Sequence, residues 1–354
     1  MKGGVVQVLL ICIVLLTMIV ACSPQVQQSK QADTAVVKPV ETIKWRAQAY
    51  AAAAPRGIGH YTTTFPQDIK EITQGKLVID MAPPGSIVPA AEVLSAVSSG
   101  TLDMAISFGS FTVGTIPEAD IEQGLPFSWQ DLQEAWAAYY TYGLLDELRS
   151  VYAKHNVYFL APAFAPIKYV IQGNFAASDR AQLAGKKIRT GGLVAELFKE
   201  AGMAPVALPV GDVYMALKTG TIDAAYFGIF AAEGAKLHEV SKYVIGGLDA
   251  GQLAQSVLVN MNTWNKLPPD MKQYLDKYAR YVLNQEALSY FERGALRSYA
   301  STYNLQYVQF SQDDAAKMSK YTIDTLWQKV ADKSPNCNRL VNIIRKQMKD
   351  LGRL

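Results

Sequence analysis

Apolar and polar residues recur along the chain with two different periods, which separate expected strands from expected helices. Alternation, or a short apolar run, predicts a strand, and apolar residues three and four apart predict a helix. The predicted strands are 42–50, 77–83, 157–166, 168–173, 186–192 and 204–210. The predicted helices include 61–73, 193–202 and 312–330. Strands that alternate with helices favour parallel α/β sheets.

One helix–glycine–strand pattern is present twice. The stretch "AEVLSAVSSGTLDMAI" (91–106) aligns without a gap with "GDVYMALKTGTIDAAY" (211–226). The shared glycine suits the left-handed position after a helix, and the apolar run behind it suits a buried strand. Such a unit is common enough to recur by chance, and the alternative is one architectural unit used in each of two similar lobes. Identical positions in both copies give Asp103 and Asp223 a structural role in the turn.

The C-terminal third has a helical pattern. Residues 269–299 place apolar side chains along one face, which predicts a helix of roughly 45 Å if it is continuous, with Gly294 as a point of bending or breaking. Ser311 is expected to cap the next helix. We expect an α/β protein with two lobes joined by a long helix. Its parts are lobe I (43–166 and 255–294), lobe II (167–254 and 295–330) and a C-terminal helical tail (331–354).

Length and charge narrow the class of protein. A chain of 354 residues is expected to form two domains. It carries 34 basic and 31 acidic residues, for a formal net charge of +3, and has no polybasic block. Neither nucleic acid nor an anionic membrane surface is therefore an expected partner.

The N-terminus has the layout of a signal peptide. A basic residue precedes an apolar stretch (5–20), and a small residue precedes Cys22. Because "IVAC" fits a bacterial lipobox, we expect a lipoprotein signal peptide over 1–22, lipid on Cys22 and a flexible polar tether over 23–42. A retained membrane anchor is the alternative, although the apolar stretch is short for a spanning helix. In either case the rest of the chain lies outside the cytoplasm.

Four phrases, in order, resemble one known family. "GKLVIDMAPPGSIVPAAEVLSAVSSGTLDMAI", "LAGKKIRTGG", "LPVGDVYMALKTGTIDAAY" and "NMNTWNKLP" are similar to the solute-binding subunits of tripartite ATP-independent periplasmic (TRAP) transporters, from about residue 43 onward. "IRTGGL" and "PVGDVYMALKTGTIDAA" are similar to the branch that binds small 2-oxo and 2-hydroxy carboxylates. The resemblance implies a two-lobed fold like that of periplasmic binding proteins. It also implies a periplasmic receptor that closes on a small organic acid and delivers it to a membrane permease.

Arg189 is the expected anchor for the carboxylate of that acid. It ends the strand "KKIR" next to Gly191 and Gly192, and ligands of α/β sheets collect beyond the carboxyl ends of the strands. A guanidinium presents a planar fork that matches a carboxylate, and amides at a helix N-terminus favour anions. Taken alone, an arginine at a strand end is often only exposed to solvent. The resemblance favours the anchor role.

Aromatic residues and one lysine are further candidates for ligand contacts. The candidates are Tyr50, Phe108, Phe111, Tyr226, Phe227 and Lys168. Two of the aromatic residues follow the strand of the first repeat, and two stand at the equivalent place after the second. This symmetry suggests that both loops face one cleft. The alternatives are that the aromatic residues are core residues and that the lysine is a solvated surface residue.

The chain departs from the 2-oxo-acid branch where members of that branch hold a metal ion. Their glutamine corresponds to Pro166, their Glu-Trp pair to Tyr226 and Phe227, and their later glutamate to Ala250, beside Asp249. A hard cation needs several oxygen ligands, which proline, phenylalanine and alanine side chains do not offer. We therefore expect binding without a metal ion or other cofactor. The expected ligand has a larger apolar or aromatic part than pyruvate.

The sequence has no recognisable motif of an enzyme. His60, His155 and His238 are scattered, and the chain has no HExxH, GxSxG or Walker motif. Cys337 would be alone in the mature chain, without a disulfide partner. We therefore expect a binding protein. A periplasmic enzyme and a lipoprotein that senses a ligand for another receptor are the alternatives, and a homodimer through the C-terminal helices is left open.

Overall fold

The computed structural model describes residues 42–50, 61–164, 168–251, 254–284 and 295–354. The expected signal peptide with Cys22, the tether up to residue 41, and the residues His60, Pro166 and Gly294 lie outside these ranges. Thr42–Leu354 forms one unit of the structure. None of the helices within the described ranges is long and apolar enough to span a membrane.

The strands and helices lie where the hydrophobic pattern predicts them, with further elements between. The strands are β1 Ile43–Ala49, β2 Leu77–Ala82, β3 Met104–Ser107, β4 Val157–Phe164, β5 Tyr169–Gly173, β6 Lys187–Arg189, β7 Ala204–Val206, β8 Ala224–Gly228, β9 Tyr243–Gly246, β10 Ala254–Asn260 and β11 Gln306–Gln309. The helices are α1 Tyr61–Ile72, α2 Val93–Ser99, α3 Ala119–Glu122, α4 Leu132–Tyr140, α5 Leu144–Ala153, α6 Gly192–Glu200, α7 Val213–Lys218, α8 Ile229–Gly234, α9 Met261–Lys266, α10 Pro269–Tyr281, α11 Ala295–Thr302, α12 Gln312–Tyr321, α13 Trp327–Ala331 and α14 Pro335–Asp350.

The strands form two sheets, and each sheet is the centre of one lobe. The sheet of lobe I has the order β2-β1-β3-β10-β4, and the sheet of lobe II has the order β11-β9-β5-β8-β6-β7. The expectation of parallel sheets is wrong for one strand in each: β10 runs antiparallel to β3 and β4, and β5 runs antiparallel to β8 and β9. Each of these two strands is the first one after the chain crosses from one lobe to the other.

The crossings set the carboxyl ends of the two sheets opposite each other. Four residues (165–168) join the end of β4 to the start of β5, and seven (247–253) join β9 to β10. The shorter connection spans less than about 20 Å even when it is fully extended. The chain therefore leaves each sheet at the carboxyl ends of its parallel strands and enters the other sheet at the same edge. The two edges border one cleft.

The sequence repeat is also a structural repeat. The glycine in each copy has a left-handed φ, of 83° and 73°, and leads into a central strand, β3 or β8. Asp103 accepts a hydrogen bond from the N–H of Arg46 at 2.9 Å, and Asp223 accepts one from the N–H of Lys187 at 2.8 Å. Each aspartate thus ties its turn to a neighbouring strand, β1 or β6, which confirms the structural role.

A helical stretch near the C-terminus connects the two lobes. It consists of α12, a π-helical turn over Thr322–Leu326, and α13, and is about 30 Å long at 1.5 Å per residue. Met318 packs in the core of lobe II, whereas Ile323 and Trp327 pack in the core of lobe I. The Ser311 side chain caps it, as predicted, by accepting from the N–H of Asp314.

The long helix predicted over 269–299 is described only in part. Helix α10 ends at Tyr281, and α11 begins at Ala295. The residues between them, 285–294, lie outside the described ranges, so the continuity of this helix stays a prediction. The C-terminal helix α14 packs its apolar face, with Leu340 and Ile344, into the core of lobe I.

A buried carboxyl group lies behind the turn 109–111 in lobe I. Glu122 is 1% exposed and accepts hydrogen bonds from the hydroxyls of Tyr152 and Ser256. Burial raises the pKa of Glu122 to about 7, although both hydrogen bonds act to lower it. Gly109 packs closely on this group, since a Cβ there would lie 3.0 Å from Oε1 of Glu122.

We expect Glu122 to make the protein less stable as the pH rises from about 4.5 to 7. The pKa is higher in the folded chain than the ordinary value of 4.5, so the folded state holds a proton that the unfolded state releases. Over that window the free energy of unfolding should fall by roughly 3 kcal/mol. Glu122→Gln cannot ionise and should be more stable than wild type at pH 8.

Calorimetric unfolding between pH 5 and pH 8 measures this difference, with Glu196→Gln on an exposed position as the control. The same pH dependence in wild type and Glu122→Gln would contradict the raised pKa.

Candidate functional site

Arg189 lies at the carboxyl edge of the lobe II sheet, as the last residue of β6. Its Nε donates to the carbonyl of Leu208 at 3.1 Å, and its guanidinium lies 4.8 Å from the centre of the Phe227 ring. Burial lowers the pKa of Arg189, and Tyr169 acts in the opposite direction. Its two Nη groups make no hydrogen bond to any residue in the described ranges. A carboxylate bound end-on, across the two Nη groups, would satisfy both and offset the cost of burying the charge.

The two glycines after Arg189 leave room beside it. Gly191 and Gly192 are both exposed, and a Cβ on either would meet no atom within 4 Å. Gly192 has a φ of 58°, which favours glycine, and begins α6. A ligand on the arginine can therefore approach the first amides of this helix, which favour anions.

Three predicted aromatic residues form one cluster at the carboxyl edge of the lobe I sheet. Tyr50 stacks on Phe108 with a centroid distance of 5.9 Å and meets Phe111 edge-on at 5.8 Å. The N–H of Tyr50 donates to the carbonyl of Ile106, which fixes the tyrosine beside the end of β3. Phe111 is 39% exposed. The cluster presents an apolar wall on the side of the cleft opposite Arg189.

Tyr169 connects the two sides of the cleft, and it was not among the residues predicted from the sequence. Burial and then Tyr169 raise the pKa of Tyr50 well above its ordinary value, so phenols from the two lobes lie close enough to interact. Burial raises the pKa of Tyr169 to about 12, whereas Arg189 acts to lower it. Neither hydroxyl has a hydrogen-bond partner within the described part of the chain. The sequence feature that could have indicated Tyr169 is its place as an aromatic residue at the start of the strand after the crossing, next to Lys168.

Two of the predicted contact residues are buried next to Tyr169 and Arg189. Tyr226 and Phe227 are both buried in the lobe II cores. The Tyr226 ring stacks on Tyr169 at 5.3 Å, and its hydroxyl donates to the carbonyl of Leu248 and accepts from the N–H of Ala250. Phe227 lies beneath the Arg189 guanidinium. These two residues position Tyr169 and Arg189.

Lys168 takes part in an ion pair that joins the two crossings. Its Nζ lies 3.4 Å from Oδ2 of Asp249, so a residue of the first crossing is paired with one of the second. The lysine side chain is mostly buried, and the aspartate is exposed. The pair places a cation and its counter-ion together at the base of the cleft.

Potential metal ligands do not cluster in the part of the chain that the structure describes. No group of three or more His, Cys, Asp or Glu side chains there could hold a metal ion. Cys337 is buried in the lobe I core, and the His238 ring stacks on Tyr303 at 4.0 Å.

The comparisons with known proteins agree with this architecture. The chain is 27% identical over 317 residues to a monocarboxylate 2-oxoacid-binding periplasmic protein of Nostoc sp., covering 87% of this chain and 83% of the relative. The structure superposes with a TM-score of 0.76 on a TRAP transporter solute-binding protein from Bordetella bronchiseptica with bound calcium and picolinate, at 22% identity over 88% of this chain and 93% of that one.

A second solved structure has the same fold. It is an extracytoplasmic solute receptor of Bordetella pertussis that binds pyroglutamic acid, with a TM-score of 0.71 and 17% identity over 86% of this chain and 100% of that one. The family model described as "Bacterial extracellular solute-binding protein, family 7" (DctP) matches residues 49–334. The chain therefore belongs to the family 7 bacterial extracellular solute-binding proteins, and its resemblance to TRAP transporter solute-binding subunits is confirmed.

Proposed function

We propose that this protein captures a small organic acid between its lobes and delivers it to the membrane subunits of a TRAP transporter. The observation that carries the proposal is Arg189, a half-buried cation at the carboxyl edge of the lobe II sheet whose terminal nitrogens have no hydrogen-bond partner in the described ranges. The names of the relatives support the same class of ligand, because they bind a 2-oxoacid, picolinate and pyroglutamic acid.

The packing between the lobes supports binding by closure. Leu193, in the first turn of α6, packs against the core of lobe I, and Phe127 of lobe I packs against the core of lobe II. Such contacts between the lobes would exclude water from a carboxylate bound in the cleft, which strengthens the charge interaction. The aromatic wall of Tyr50, Phe108 and Phe111 favours a planar or apolar group behind that carboxylate.

Replacement of Arg189 tests the anchor. Removal of one partner of a desolvated charge pair costs about 2–5 kcal/mol, so Arg189→Ala should weaken binding of the acid roughly 30- to 1,000-fold or more. Arg189→Lys should restore little, because the planar fork is lost. Isothermal titration with the acids that raise the melting temperature in a screen measures both effects.

Arg180→Ala is the matched control, because Arg180 is a lobe II arginine that pairs with Glu200 at the far end of α6. A change of less than a few-fold in both Arg189 variants would remove this residue from the site.

The residues in place of the metal ligands of the 2-oxo-acid branch do not fit a metal ion. The Tyr226 hydroxyl is occupied by two backbone groups, and Ala250 is buried without a side-chain oxygen. Asp249, the carboxylate next to it, is paired with Lys168. A hard cation would compete with that lysine and would find few other oxygen ligands. We therefore propose binding without a metal ion, unlike the calcium-bound relative.

We expect EDTA to leave the affinity for the acid unchanged. We also expect phenylpyruvate and other bulky acids to bind more tightly than pyruvate, because the aromatic wall contacts their larger apolar part. Titrations of dialysed protein with and without EDTA, calcium and sodium measure the first effect, and a series of 2-oxo acids measures the second. Loss of binding in EDTA with recovery in calcium or sodium would contradict the first, and tightest binding of pyruvate would contradict the second.

The lipid anchor on Cys22 is part of the proposal, and it rests on the lipobox-like "IVAC". Cys22→Ser should abolish labelling by a fatty-acid probe and either release soluble protein or block processing. Labelling and membrane fractionation of cells that express each form measure this. An unlabelled wild type, with the same fractionation in both forms, would disprove the anchor.

Two other functions are separated from transport by an assay of turnover and by the neighbouring genes. A periplasmic enzyme on this scaffold would turn over an acid that it binds, whereas a receptor returns it unchanged. A sensory lipoprotein would bind the acid equally well. The discovery of genes for the two permease subunits beside this one would favour transport.

A homodimer through the C-terminal helices would have to use their outer surface, because the apolar face of α14 is buried within the same chain.

A further inference from the structure

Two buried polar groups without partners lie at the carboxyl edge of the lobe I sheet. Ser107 and Gln255 are 1% and 2% exposed, and Oγ of the serine and Oε1 of the glutamine have no hydrogen-bond partner within the described residues. Three other buried atoms of this kind, in Trp45, Glu200 and His238, are not at the carboxyl edge of either sheet. The two orphan groups lie at the same edge but on opposite faces of the sheet, because Ser107 pairs with Ser256 and Gln255 is the next residue along that strand.

The strand register places Gln255 next to the aromatic wall. Ser256 pairs with Ser107 across β10 and β3, so Gln255 lies opposite the following residue, Phe108. On its other side Gln255 pairs with Ala163 of β4. Because Gln255 is the second residue after the crossing from lobe II, it stands where the two sheets approach each other.

A buried glutamine in the matching strand of lobe II has both ends of its side-chain amide hydrogen-bonded within the protein. Gln172, in β5, is fully buried, and its amide donates to Ser241 at 2.8 Å and accepts from Tyr299 at 3.0 Å. Neither end of the Gln255 amide has such a bond within the described chain. An unpartnered buried amide lowers the stability of the folded protein, so a structural role does not account for it.

We propose that Gln255 is a binding residue of lobe I that hydrogen-bonds a second polar group of the ligand. An amide can both donate and accept, so the group is a hydroxyl, a carbonyl or an amide of the ligand. The ligand is then an organic acid with its carboxylate on Arg189 and a hydrogen-bonding group at its other end. The inference rests on the proposed function, because Arg189 must hold the carboxylate.

The consequence is selectivity against acids that lack the second polar group. A site built to hydrogen-bond a ligand rejects an analogue without that group, because the buried partner is left unsatisfied. One pair of probes, 4-hydroxyphenylacetate and phenylacetate, differs only in a hydroxyl group. A second pair, pyroglutamate and cyclopentanecarboxylate, differs in a ring amide.

The test is a titration of both pairs against wild type, Gln255→Met and Gln172→Met. Wild type should bind the polar member of at least one pair about 10-fold more tightly. Gln255→Met should reduce that ratio to within about 3-fold and raise the melting temperature, because methionine fills the same space without an orphan amide. Gln172→Met should lower the melting temperature and keep the ratio. Gln255→Ala provides a second variant without the amide, should methionine pack poorly.

Equal binding of both members of each pair by wild type would overturn the inference, as would an unchanged ratio in both Gln255 variants. Failure of every acid to bind wild type would instead overturn the proposed function, and this inference with it. Loss of binding in Arg189→Ala with an unchanged polar ratio in the Gln255 variants would leave the proposed function intact and reject the role of Gln255.

Discussion

The short crossings between the lobes are the constraint on which the rest of the structure depends. A chain that leaves β4 and reaches β5 within four residues cannot travel around either sheet, so it enters lobe II at the edge where it left lobe I. The same holds for the return through 247–253. This geometry forces one antiparallel strand into each sheet, and it brings together two sets of strand ends that are distant in sequence. Every residue that we assign to the cleft lies at one of these ends.

The two lobes contribute different chemistry to that cleft. Lobe II supplies the charge, with Arg189 over Phe227 and beside the first amides of α6. Lobe I supplies the apolar wall of Tyr50 and its two phenylalanine neighbours. Phe227 lies under the guanidinium, and Tyr226 supports Tyr169, so buried aromatic residues fix the groups that face the ligand. Such a division suits a receptor, because an acid satisfies both lobes only when they are closed around it.

Local patterns allowed much of the fold to be predicted from sequence, but not the contacts between distant segments. Periodicity located the strands and helices, and the repeat identified Asp103 and Asp223 by their identical positions, although the partners of both aspartates lie on strands that are distant in sequence. The antiparallel strands could not be foreseen, since they follow from how the chain crosses between lobes. Tyr169 was missed for the same reason: its importance comes from Tyr50 and Arg189, which other strands bring to it. The sequence alone also left open whether Tyr226 contacts the ligand or packs in the core of lobe II, where the structure places its ring.

The most direct test of the account is a crystal structure of the protein with a bound acid identified by titration. We expect the carboxylate to lie within hydrogen-bond distance of the Nη groups of Arg189, with the rest of the acid against the Tyr50 cluster and in contact with both sheet edges. An acid bound through other cations, or held on one lobe with Arg189 facing solvent, would contradict it.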